Sequence, residues 1–274
     1  TFAKTPARIF SSGSDAALAV AAAGATDRLV GRSQDGGHQN PLGHYATELN
    51  KVPQITVSET PSREQVIALR PDVVVTNGPT NVPAAVSEGI NTLTPTWRCG
   101  GVSFEDTYNQ IEQYGKVFGT SEAADRTMAA LRARQAAVAK QVRNKFQGLT
   151  VGAINDDAPF FGAYGRASVT HSMFGILGMK DVFGDLKDRI PEVGVETVIN
   201  RDPDVLVLVY SETGETAQQA IQLLTQRKPA LKTLKAVRQG HVIPINFNYI
   251  IGGPLIVDGL EQIAKSMKAA GIGQ

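Results

Sequence analysis

The chain has 274 residues, 42% hydrophobic and 19% charged, enough apolar material for a sizeable core and too little charge for a disordered chain. Lys and Arg total 27 against 26 Asp and Glu, a formal charge of +1, which excludes a polybasic nucleic-acid or membrane binder. The longest run free of strongly polar residues, Ala16 to Ala25, is half the ~20 residues that span a bilayer.

The start, Thr1-Phe2-Ala3-Lys4, has neither an initiator Met nor an apolar leader core, so a mature or trimmed form is expected. Arg8 to Ser12 predicts a short strand, and Asp15 to Ala23 an Ala-rich helix running into Gly24. Asp27 to Gly31 predicts a second strand. Arg32 to Asn50, dense in Gly, His, Gln and Asn, reads as a long loop with one short helix. Pro61 to Arg70 predicts a helix stopped by Pro71, and Asp72 to Thr76 a buried strand. A helix from Pro83 to Glu88 and a strand from Asn91 to Pro95 follow. This alternation predicts parallel α/β architecture.

Thr120 to Gln147 contains neither Gly nor Pro, and Ala124, Met128, Leu131, Val138, Val142 and Phe146 fall on one helical stripe. A helix of ~27 residues there would be ~40 Å long and would hold two lobes at a nearly fixed distance and angle. The second half repeats the first: Glu64-x-Val66-Ile67-x-x-x-Pro71-Asp72-Val73 matches Glu196-x-Val198-Ile199-x-x-x-Pro203-Asp204-Val205 without a gap. The predicted fold is therefore α/β, two Rossmann-like lobes with parallel sheets (residues 5–119 and 148–274) joined by one long rigid α-helix (residues 120–147).

Ligands of open α/β sheets bind in the crevice outside the strands' carboxyl ends. The corresponding loops carry Trp97, Phe160, Phe161, Tyr164, Tyr210, Phe247 and Tyr249, together with Arg32, Arg98 and Arg166. If the lobes face each other, these loops line one cleft. Rings supply stacking area and guanidinium forks bind carboxylate or catecholate oxygens, so the expected ligand is large and flat or anionic.

The paired blocks, the unbroken central helix and the half-repeats resemble the class III periplasmic binding proteins of ABC importers, which capture iron siderophores, haem or cobalamin. The resemblance spans essentially the whole chain and is most specific over Ser62-Arg63-Glu64-Gln65-Val66-Ile67-Ala68-Leu69-Arg70-Pro71-Asp72-Val73-Val74-Val75. It implies an extracytoplasmic protein, free in the periplasm or anchored as a lipoprotein, monomeric and without an intrinsic cofactor. It would capture an Fe(III)-siderophore between its lobes and deliver it to a membrane permease, with Glu64 and Glu196 meeting arginines of that permease. The expected ligand-binding set is Arg32, His44, Trp97, Arg98, Phe161, Tyr164, Arg166, Tyr210 and Phe247. Haem or cobalamin in place of the siderophore, a sensor, and a two-lobed α/β enzyme are the alternatives.

Each of these residues also has a plainer role. A glutamate in a first helical turn complements the helix dipole, and His38 and His44 in a polar loop are solvated as readily as they ligate a metal. His171 at a helix start and His241 at a strand start read as structural. Cys99 is the only cysteine and has no His at an informative spacing, so it reads as a small loop residue rather than a nucleophile. Asp156-Asp157 reads as a pair pointing to opposite sides of a strand or solvated in a loop. Gly162-Ala163-Tyr164-Gly165 misses the dinucleotide spacing, and neither G-x-x-x-x-G-K-[ST] nor G-x-S-x-G occurs, so no enzymatic activity is expected.

Overall fold

A computed structural model describes residues 4–33, 41–56, 61–76, 89–95, 101–157, 160–210 and 217–273. The chain divides into two compact units, Thr1–Cys99 with Glu105–Arg132 and Gly100–Phe104 with Ala133–Gln274.

In the first unit five strands form one sheet in the order β3-β2-β1-β4-β5: β1 Ile9–Ser12, β2 Leu29–Ser33, β3 Gln54–Thr56, β4 Val73–Thr76 and β5 Asn91–Leu93. Every pairing is parallel, and β1 lies against β4 from Ile9 opposite Val73 to Ser12 opposite Thr76. All residues of β1 and β4 are buried, which is why β4 reads as an unbroken Val-Val-Val run rather than an alternation. Gly13, at φ 97°, turns the chain directly from β1 into the helix Ser14–Ala22. That helix is apolar on all sides beyond its first two residues, Ser14 and Asp15, and is buried almost throughout, as a helix packed inside a core must be.

The amphipathic helix Phe104–Phe118 buries Phe104, Tyr108, Ile111 and Phe118, and Gly119 turns it into the long helix Ser121–Gln141. The long helix has 21 residues, about 32 Å at 1.5 Å per residue, shorter than the Gly- and Pro-free stretch predicts. Asn144 adopts left-handed backbone at φ 64°, and the Lys145 amide bonds three residues back to Val142. Val142 and Phe146 are nevertheless buried, so the apolar stripe outlasts the helix.

The second unit has strands β6 Thr150–Asp157, β7 Phe160–Ala163, β8 Lys180–Asp181, β9 Val205–Tyr210 and β10 Val242–Asn246, in the order β10-β9-β6-β7 with β8 also on β6. β6, β8, β9 and β10 pair in parallel, whereas β7 runs antiparallel to β6. Phe160 and Phe161, expected on a loop at the strands' carboxyl ends, thus lie on a strand paired with β6. Two residues separate β6 from β7, too few for a parallel crossover. The helices Val169–Leu177, Val195–Arg201, Ala217–Arg227 and Ile256–Ala269 cover this sheet's unit.

The duplication is visible in detail. Asp72 accepts the amides of Ala7 and Arg8 at 2.8 and 2.9 Å, and Asp204 accepts that of Thr150 at 2.8 Å. Each Pro-Asp-Val block therefore ties the start of its strand to the strand beside it. Ile154 lies opposite Leu208 as Ser12 lies opposite Thr76. β6 therefore runs on past the level at which β1 ends. β7 brings the chain back to the carbonyl of Ala153, bonded by Tyr164 N–H at 2.9 Å, before helix Val169–Leu177 begins.

Candidate functional site

The carboxyl edge of the first sheet is polar and buried. Ser11, Ser12, Ser33 and Thr76 are all inaccessible, the Ser33 hydroxyl accepts the Gly13 amide at 2.8 Å, and the Thr76 and Thr94 hydroxyls lie 3.2 Å apart. Arg32, on β2, is 8% exposed and donates Nε–H to the carbonyl of Leu49 at 3.1 Å; burial lowers its pKa. The guanidinium thus closes the short helix Ala46–Leu49 onto the sheet. His44 is exposed, its ring centroid 3.9 Å from that of buried Tyr45. Trp97 and Arg98 lie outside the described residues, as do His38 and Cys99.

In the second unit the aromatic candidates separate by depth. Phe161 and Tyr164 are 7% and 0% exposed. Phe161 belongs to the core, with Lys228 Nζ 4.6 Å from its ring centroid. Tyr210 ends β9 opposite Asn246, the last residue of β10, and both Tyr210 and Phe247 are half-buried. Asn246 accepts the amide of Asn248 at 3.0 Å and so shapes the turn that carries Phe247 and Tyr249. Burial first, then the charges of Asp258 and Tyr210, pushes the Tyr249 phenol up and so disfavours a phenolate there. Tyr210, Asn246 and Phe247 gather at one sheet edge, whereas Tyr164 is packed in the interior. The asparagine had no signal in the sequence pattern, because a polar residue closing an apolar strand reads as the start of a loop.

Arg166 is exposed, in the turn just before helix Val169–Leu177. Its Nε–H donates to the carbonyl of Gly184 at 2.9 Å, which fixes the guanidinium plane and leaves its terminal nitrogens for an anionic partner. His171 Nδ1 lies 2.8 Å from Asp181 Oδ2, a structural pair. Asp156 and Asp157 lie on strand β6 rather than in a solvated loop, and Asp156 is closed over by Lys228, 3.3 Å from its carboxylate, while Arg227 donates to its carbonyl.

Glu64 and Glu196 are both exposed in the first turns of equivalent helices, Arg63–Ala68 and Val195–Arg201. Ser62 caps the first helix in a reciprocal box with Gln65. The backbone amide of Glu64, then the Ser62 hydroxyl, lowers the Glu64 pKa. Among the described residues no group of three or more His, Cys, Asp or Glu side chains is placed to hold a metal ion, and no helix is long and apolar enough to cross a membrane.

The family model of the periplasmic binding proteins matches residues 9–249. The chain belongs to the periplasmic binding protein family. Among solved structures, this periplasmic binding protein is similar to an ABC-type Fe3+-hydroxamate transport system from Saccharomonospora viridis, 28% identical with a TM-score of 0.80 over 97% of this chain and 95% of the other. A vitamin B12-binding protein of Salmonella choleraesuis is 28% identical over 62% of this chain, and the match spans 63% of that relative's length. A vitamin B12-binding protein of Vibrio parahaemolyticus is 26% identical over 84% of this chain and 77% of its own.

Proposed function

We propose that this periplasmic binding protein is the extracytoplasmic substrate-binding component of an ABC importer and that its ligand is a ferric hydroxamate siderophore. The observation that carries the reading is the likeness, over nearly the full length of both chains, to the Fe3+-hydroxamate transport system. The residues fit such cargo. A wrapped ferric chelate presents an apolar periphery and oxygen-rich faces, which suit the half-buried rings of Tyr210 and Phe247 and the free fork of Arg166. The siderophore satisfies the iron's coordination itself, so the protein needs no ligand cluster of its own. Phe161 and Tyr164 act in this reading as supports of the site, since each is buried.

Titration of the purified protein with a ferric hydroxamate, haem and cyanocobalamin tests the assignment. Saturable one-to-one binding of the ferric hydroxamate at micromolar or tighter Kd supports it, and a tenfold loss in Arg166→Ala locates the site. Selective binding of cyanocobalamin, the ligand named for the two curated relatives, would replace the siderophore; selective binding of haem would likewise overturn it.

A further inference from the structure

A cavity of about 460 Å³ lies wholly within the second unit, between the end of the long helix Ser121–Gln141 with the turns after it and the helix Ile256–Ala269. Its volume is that of a small-molecule site, yet it shares no residue with the carboxyl-edge set described above. Five of its lining side chains are apolar and less than a tenth exposed: Val138, Val142, Phe146, Ala264 and Ile272. The last turn of the chain closes one side. Gly273, at φ 77°, comes so near that a Cβ there would stand 2.4 Å from the carbonyl oxygen of Lys145.

The charged lining is one-sided. Lys145, Lys265 and Lys268 are exposed on it, and none of the three pairs with a carboxylate among the described residues. The carboxylate that also lines the cavity, Glu261, is already held by Arg134 through two bonds of 2.9 and 2.7 Å. An apolar chamber bordered by three uncompensated ammonium groups complements a ligand with a hydrocarbon body and a single anionic head.

We propose that this cavity binds a single-chain anionic amphiphile of the fatty-carboxylate class, with the chain against Val142, Phe146 and Ile272 and the carboxylate beside Lys265 and Lys268. The site is independent of the importer reading and stands or falls separately from it.

The probe is sodium dodecanoate below its micelle concentration, titrated calorimetrically into the native protein, with neutral dodecyl maltoside and phosphatidylglycerol vesicles as parallel arms. Expected are one dodecanoate per chain, at least tenfold weaker binding in Lys265→Glu/Lys268→Glu, and comparable weakening in Ala264→Phe, which fills the chamber. The double charge variant alters only exposed side chains, so its fold does not depend on repacking. No binding of dodecanoate, equal affinity in the charge variant, equal affinity for dodecyl maltoside, or binding to vesicles without binding to free dodecanoate would each overturn the proposal.

Discussion

Arg70 and Asp202 stand at the same step of the two half-repeats, each immediately before Pro-Asp-Val and each in left-handed backbone, at φ 44° and 34°. Such backbone costs a non-glycine residue roughly 1–2 kcal/mol. Both positions end a helix and send the chain into a central strand, so the strain recurs where the fold makes the same turn twice. Arg70 contributes there through its carbonyl, which accepts Nε–H of Arg8 at 3.1 Å, whereas the Asp202 carboxylate accepts the amide of Lys235 at 2.7 Å. Arg70→Gly should therefore raise the free energy of unfolding by about 0.5–1 kcal/mol. Asp202→Gly should give no net gain, because a lost hydrogen bond of about 1 kcal/mol cancels the relief. Urea denaturation of both variants checks this; equal stabilisation by the two would refute it.

Asp204 links stability to acid. Burial pushes its carboxyl up, but Lys235, 2.7 Å away, with the amide and hydroxyl of Thr150, outweighs that and brings its pKa from 3.8 to about 2. A carboxyl whose pKa is lower folded than unfolded contributes stability that is complete above about pH 4 and is lost as pH falls through 2. Asp204→Asn should lower stability at pH 7 by about 2 kcal/mol and flatten the loss of stability between those limits. Urea midpoints measured from pH 2 to 7 test it, and parallel curves for variant and native protein would reject it.

What was legible in the chain follows from what sequence periodicity records. Pro-Asp-Val-Val-Val announces a covered parallel strand because both faces of β4 are buried, and its copy at Pro203 announces β9 in the same way. The β6–β7 pair was not legible, since Asn155-Asp156-Asp157 has the composition of a loop and becomes strand only because β7 and Lys228 cover it. The structural bond of Arg32 was not legible for a related reason. A guanidinium in a Gly- and Asn-rich segment reads as a ligand contact, and nothing in the sequence marks the Leu49 carbonyl that receives it in the fold.

Phe161 distinguishes core from ligand contact. Its ring is 7% exposed, packed in the second unit's cluster beneath Lys228, which also reaches Asp156. Truncation to alanine should cost about 3–4 kcal/mol of stability, as for other buried phenylalanines. Thermal and urea unfolding of Phe161→Ala measure this. Native-like stability with weakened ligand binding would instead make Phe161 a ligand contact.

Glu64 and Glu196 carry the proposed engagement of the permease. Both carboxylates are exposed at helix starts that the half-repeats place identically, where the dipole favours an anion whatever its partner. Dipole compensation alone predicts that reversing the charges barely changes stability and leaves transport intact. Docking predicts a different pattern: Glu64→Arg/Glu196→Arg retains ligand affinity and fold but loses uptake at least tenfold, with an intermediate loss in each single variant. The backbone and Ser62 keep Glu64 ionised below the usual carboxylate range, so its share of the interaction should persist from pH 7 to 5. Uptake of radiolabelled iron chelate by cells carrying each variant decides between these outcomes. Undiminished uptake in the double variant would leave the two glutamates as helix-dipole partners only.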